Sequence, residues 1–218
     1  VGTKRGGAHG GRTLTEEARR AQIVQAAIET VAELGYPYAS FSRVAKRAGL
    51  SSTGMISYYF AGKSELIAEV MATIFRVAGE ITVPRMERER TYRGKLRAYI
   101  ESSFTFMERY PAHTMALIEI VIGSRFRDVA AMGPVEQAVA SVDALVDCLN
   151  KGRSAGEFGE FDPLVMAIAI RGAIDNALRQ HMFDPDIDLA RCGREIAEIF
   201  DRCTRTDPPS ESTGDSQP

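Results

Sequence analysis

Tryptophan is absent from this 218-residue chain, cysteine and histidine occur three times each, and no apolar run is long enough to span a bilayer. The cysteines Cys148, Cys192 and Cys203 form no Cys-x-x-Cys pair and leave one over, which argues against a zinc site and against a disulfide framework; a reducing cytoplasm fits them. The longest apolar stretch, 115–122, is interrupted by Glu119 and falls short of the roughly 20 residues a crossing helix needs. Residues 1–12 are Gly-rich and basic with no apolar segment behind them, so they do not read as a signal peptide. The sequence carries no Walker or dinucleotide glycine pattern, no His-Glu-x-x-His and no Glu-x-x-His pair. An enzyme is therefore not expected, and neither is a metal or cofactor. Alternating strands and repeats of 20 to 50 residues are missing too.

What is present is a soluble composition, 44% hydrophobic and 26% charged, which suffices for a buried core. The net charge of -2 is unevenly placed: up to and including Lys63 there are nine basic residues against Glu16, Glu17, Glu29 and Glu33, a balance of +5 that leaves -7 on the remainder. A basic end on an acidic body is the footprint of a chain that meets a polyanion with one part only.

The periodicity predicts an all-α fold of about nine helices, divided into a flexible basic arm at 1–12, a three-helix unit at 13–62, a larger helical unit at 63–206 and a disordered tail at 207–218. The first helix starts near Thr13 to Thr15, where Thr13 and Glu16 can form a capping box, and Gly35 stops it after the stripe Val24, Ala27, Ile28, Val31 and Leu34. After two short helices, a long one runs from Gly62 or Lys63 along Leu66, Val70, Ile74, Val77 and Ile81 and is expected to end before Pro84. A fifth spans about Tyr92 to Tyr110, and a sixth follows Pro111 towards Ser124. Pro134 suits the first position of a seventh that ends before Gly152; Asp162-Pro163 opens an eighth to about Met182, and a ninth follows from about Asp188.

The informative segment is FSRVAKRAGLSSTGMISYYFAGKSEL at 41–66. Val44, Ala45 and Ala48 give the first short helix an apolar face, Gly49 supplies a left-handed residue, Leu50 packs back, and Ser51 can cap the next helix. In that helix Met55 and Ile56 are expected in the core, with Ser52, Thr53, Ser57 and Tyr58 outward. Hydroxyls and a phenol suit base edges and phosphates, and Arg43, Lys46, Arg47 and Lys63 surround them with positive charge. Spacing alone leaves a helix-turn-helix beside a plain pair of core helices joined by a glycine turn.

With the helices on either side, this stretch resembles the DNA-binding domain of the TetR (tetracycline repressor) family of transcriptional regulators. The matching positions are Val44-Ala45, Ala48-Gly49, Ser51, Tyr58, Tyr59-Phe60, Lys63 and Leu66; the departures are one extra residue between Gly49 and Phe60, and Ser57 where a tyrosine is usual. The resemblance implies DNA contacts from Arg43, Ser51, Ser52, Thr53, Ser57, Tyr58 and Lys63, with Lys63 on a phosphate. It also implies a homodimer on double-stranded operator DNA and a small-molecule effector bound in the C-terminal helices.

Two further residue sets follow. Phe75, Phe104, Met107, Met115, Ile118, Phe126 and Met166 are large apolar side chains that either line an effector pocket, favouring an apolar or aromatic ligand, or are plain core. GEFGEFDPLVMAIAIRGAIDNAL resembles the family's entry into its dimer helix, and its small residues Ala169, Gly172, Ala173 and Ala177, joined by Ile196 and Phe200 from the last helix, serve either a dimer interface or an intrachain contact. The expected function is a repressor released from a palindromic operator by its effector. An activator of the same fold and a helical small-molecule carrier or enzyme remain as alternatives.

Overall fold

The apolar stripes close into nine helices among the residues described by the computed structural model, 14–123 and 135–206, with side chains described outside 135–141. They are α1 (Leu14–Leu34), α2 (Phe41–Arg47), α3 (Gly54–Tyr59), α4 (Lys63–Arg88), α5 (Tyr92–Arg109), α6 (Pro111–Gly123), α7 (Val135–Ser154), α8 (Pro163–Phe183) and α9 (Leu189–Thr204). A single 3-10 turn, Tyr36–Tyr38, joins α1 to α2. The Thr13 cap, Pro134, Phe126, the arm and the tail lie outside the described residues.

Local chemistry sets most boundaries. Gly35, at φ 85°, takes the left-handed turn that ends α1. Thr91 caps α5 by accepting from the Gly94 amide at 3.0 Å. Asp162 accepts from Leu164 and Val165 N–H at 2.8 and 3.0 Å, with Pro163 first in α8, and Asp188 accepts from the Arg191 amide at 2.8 Å.

The apolar side chains form two cores. The first joins Ile23, Ile28 and Val31 of α1 to Val44, Ile56 and Phe60, to Leu66, Val70 and Ile74 of α4, and to Ala116 and Ile120 of α6. The second gathers Leu96, Ile100 and Phe104 of α5, Leu149 of α7, Ile170 and Ile174 of α8, and Ala197 of α9. Fully burying each large side chain contributes about 1.5–3 kcal/mol. The first half of α4 is thus seated in the N-terminal core, while its length packs along α5.

Two expected helix ends are corrected. α4 does not stop before Pro84 but continues to Arg88 with the proline inside it. Proline removes one backbone bond and ordinarily costs about 3 kcal/mol in a helix interior. Pro84 is exposed, and the turn beyond it is fastened to α5 by Arg85, which donates to Thr105 Oγ1 at 2.8 Å and reaches Ser102 Oγ at 3.5 Å. α7 likewise runs through Gly152 to Ser154. Gly152 is buried because the Phe158 ring lies against it, and the left-handed residue after the helix is Gly156, at φ 73°.

Candidate nucleic-acid interface and helical body

The site begins at the end of α2. Gly49 has φ 66°, the Leu50 amide reaches back to Ala45 O at 2.9 Å and the Gly49 amide to Lys46 O at 3.3 Å, which together close a Schellman motif. Gln22 of α1 donates to Ala48 O at 2.7 Å, so α1 satisfies a carbonyl that the helix end would otherwise leave open. These contacts fix the angle at which the chain leaves α2 for α3.

α3 is held from beneath by Ile56, 0% exposed, and by Phe60, 1% exposed. Arg20 of α1 braces its end, donating to Tyr59 O at 3.2 Å, pairing with Glu69 of α4 and stacking over the Phe60 ring at 4.5 Å. Ser51, Ser52, Thr53, Ser57 and Tyr58 are all exposed, Tyr58 with 73% of its surface free. A rigid underside and an outward row of hydroxyls thus share one short helix and the turn before it.

Three local expectations differ. Ser51 does not cap α3, whose N-cap position is Thr53 in helical geometry with no side-chain cap bond. The turn after Gly49 takes up the first residues of this stretch, which moves the helix start to Gly54 and leaves the Ser51 and Ser52 hydroxyls outside it. Met55 is not core but 37% exposed, because the short helix has room for one inward position and Ile56 fills it.

The positive charge around α3 is also less uniform than the sequence implies. Arg47 is paired with Glu33 and lies 3.6 Å from Glu29, both on α1. Lys63 is turned inward: its Nζ donates to Tyr36 O at 2.7 Å and sits 4.4 Å from that ring, and partial burial lowers its pKa. Arg43 is exposed, with Nη1 on Tyr38 O at 2.9 Å, and Lys46 is exposed. The exposed pairs of Arg47 are worth about 0–1 kcal/mol in water, so exchanging them for a phosphate costs little. Sequence reasoning missed Arg20, Gln22 and Tyr36, whose partners lie 26 to 49 residues away and leave no local signal.

In the helical body, the candidate ligand residues divide between the cores. Phe75 packs on the first; Phe104, Met107, Ile118 and Met166 belong to the second; Met115 is half-buried. Phe104 also lines a groove of about 460 Å³ between α4, α5 and α9. On α8 the two faces separate cleanly. Ile170, Ile174 and Leu178 turn inward, whereas Val165 and Ile168, 63% and 58% exposed, share the outer stripe with exposed Ala169 and Gly172. A Cβ on Gly172 would meet nothing. Ala173 is half-buried, and Ala177, Ile196 and Phe200 lean against their own second core. The three cysteines are free, and no group of metal-ligating side chains occurs among the described residues. None of the helices among those residues is long and apolar enough to cross a membrane.

A three-helix unit with an exposed second short helix, joined through one long helix to a larger helical body, is a helix-turn-helix arrangement. Residues 23–70 match the family model for bacterial regulatory proteins of the tetR family. The segment is similar to HTH-type transcriptional regulator BetI 1 of Chromohalobacter salexigens, 38% identical over 87 residues, or 39% of this chain and 43% of that protein. It is also similar to BetI of Burkholderia ambifaria, 34% identical over 89 residues, or 40% and 45%. The chain thus matches under half the length of these relatives.

Solved structures extend the likeness of fold. The transcriptional regulator FadR of Bacillus subtilis, in complex with stearoyl-CoA, superposes with a TM-score of 0.75 at 24% identity over 83% of this chain and 96% of that one. The fatty acid degradation regulator FadR of Bacillus halodurans also gives 0.75, at 21% identity over 84% and 94%.

Proposed function

We propose that the chain is a sequence-specific DNA-binding transcriptional regulator, a homodimer whose α3 helices enter successive major grooves about one helical turn, roughly 34 Å, apart. The observation that carries this reading is the exposed row Ser51, Ser52, Thr53, Ser57 and Tyr58 on an element clamped by Ile56, Phe60 and Arg20. Side chains on a fixed scaffold can read base edges, while Arg43, Lys46 and, after leaving their present partners, Arg47 and Lys63 meet phosphates. The outer apolar stripe of α8, with Ile199 of α9 54% exposed, supports a two-fold interface.

The units read in the sequence keep their roles here: 13–62 for DNA, and 63–206 for effector binding and dimerisation. Repression relieved by an effector follows if the effector binds more tightly to the dimer geometry unsuited to DNA. The protein solved with stearoyl-CoA supports an effector with a long apolar part, which agrees with the apolar ligand expected from Phe104, Met107 and Met166. Fluorescence anisotropy of a labelled duplex tests the interface. Triple replacement of Ser52, Thr53 and Tyr58 by Ala should abolish discrimination between sequences while leaving salt-dependent nonspecific binding in place. Unchanged discrimination would contradict the assigned surface.

A further inference from the structure

Four arginines from three helices converge on the groove between α4, α5 and α9: Arg85 and Arg88 from the last turn of α4, Arg97 from α5 and Arg194 from α9. Glu89 and Glu101 share the lining, so cations exceed carboxylates there. Two of the arginines are already engaged. Arg85 donates to Thr105 and Ser102, and Arg97 meets Glu198 at 2.9 Å and Glu101 at 3.6 Å. Arg88 and Arg194 are exposed and form no ion pair among the described residues. Glu89 forms no ion pair with either among the described residues, its carboxylate lying against the Gly94 backbone in the groove lining. Beneath the cations, buried Phe104 with Ala98 and Ala190 supplies an apolar wall.

We propose that this groove binds a phosphate- or pyrophosphate-bearing small molecule, with the oxyanion held between Arg88 and Arg194 and the ligand's apolar part against Phe104. Planar guanidinium forks bind oxyanions through paired N–H donors, and a phosphate, with three terminal oxygens and more negative charge than a carboxylate, can engage forks from two helices at once. The position gives the site a mechanical consequence. α4 starts in the core beneath the DNA-facing helices and ends in this groove, and Pro84 removes a backbone bond just before the turn that carries Arg85 and Arg88. An anion shared by Arg88 and Arg194 ties the end of α4 to α9. That regulatory consequence rests on the DNA-binding reading; the binding site itself does not.

Isothermal titration of the full chain with sodium pyrophosphate, at constant ionic strength, tests the site. Wild type should show saturable binding, R88A/R194A should weaken it about tenfold or more, and R88K/R194K should retain part of it, with melting curves confirming that each variant is folded. An absence of saturable binding at millimolar pyrophosphate, or equal affinity in the alanine pair, would overturn the proposal; the second result would place the anion elsewhere, such as at the DNA-facing surface. Duplex binding measured on the same samples separates the two readings. Groove binding without any DNA binding would leave the site standing and remove the operator reading.

Discussion

Replacing Gly49 by Ala isolates the backbone conformation that sets α3 on its platform. Gly49 has φ 66°, and a Cβ built there meets no atom within 4 Å, so the substitution adds no clash and tests only the cost of a left-handed residue with a side chain. That cost is roughly 1–2 kcal/mol, because Cβ crowds the following carbonyl oxygen. At fixed protein concentration, each kcal/mol lowers the melting temperature of a domain of 150–250 residues by about 2–4 °C. G49A should therefore melt about 2–8 °C below wild type, while Asn, which tolerates this region, should cost less than Ala and Val more. DNA affinity measured well below the melting transition should fall only if the turn relaxes and tilts α3. Equal stability of Gly, Ala and Val at this position would refute the claim that the Schellman turn fixes the helix.

Other substitutions separate the remaining roles. I168D, on the exposed stripe of α8, should shift the protein to monomer in sedimentation analysis without lowering its helical circular dichroism; an unchanged oligomeric state would move the interface elsewhere. K63A should reduce the slope of log K against log salt by about 0.9 for each phosphate that Lys63 neutralises, and an unaltered slope would mean that Lys63 stays on Tyr36 in the complex. Asp201 is buried, which opposes ionisation, yet hydrogen bonds from Arg205 and Arg93 at 2.7 and 2.8 Å hold its pKa below the usual carboxylate range. A depressed carboxylate pKa contributes stability that is complete above the unfolded-state value and lost as pH falls through the folded-state value. D201N should accordingly cost about 1 kcal/mol at neutral pH, given the solvent screening of its half-exposed partners, and flatten the acid limb of the stability curve. An acid limb identical to wild type would remove this role.

The sequence made the helices legible wherever one local signal set the outcome. Gly49-Leu50 announced the Schellman turn, Asp162-Pro163 announced the start of α8, and the stripe from Leu66 to Ile81 announced α4. It misled where a packing or hydrogen-bond partner outside the helix itself decided the outcome. Pro84 has the local character of a helix end, and the Arg85 bonds to α5 carry the helix past it; Gly152 has the same character, and Phe158 explains it as a packing residue. Residue types named the exposed hydroxyls on and before α3, but the pairing of Arg47 with α1 and of Lys63 with Tyr36 required tertiary structure. On α8 the small and large residues were visible from sequence, whereas which side faces outward depends on where α5, α7 and α9 pack.

The most direct test of the central claim is selection of random duplexes by the purified full chain, followed by sequencing of the bound pool. Operator recognition by paired α3 helices should enrich a near-palindromic site with half-sites about one helical turn, 10–10.5 base pairs, apart, and the enrichment should be lost when Ser52, Thr53 and Tyr58 are replaced. A pool that shows no enrichment even at low salt, where phosphate contacts are strongest, would contradict it and favour a helical carrier or enzyme whose N-terminal hairpin is only structural.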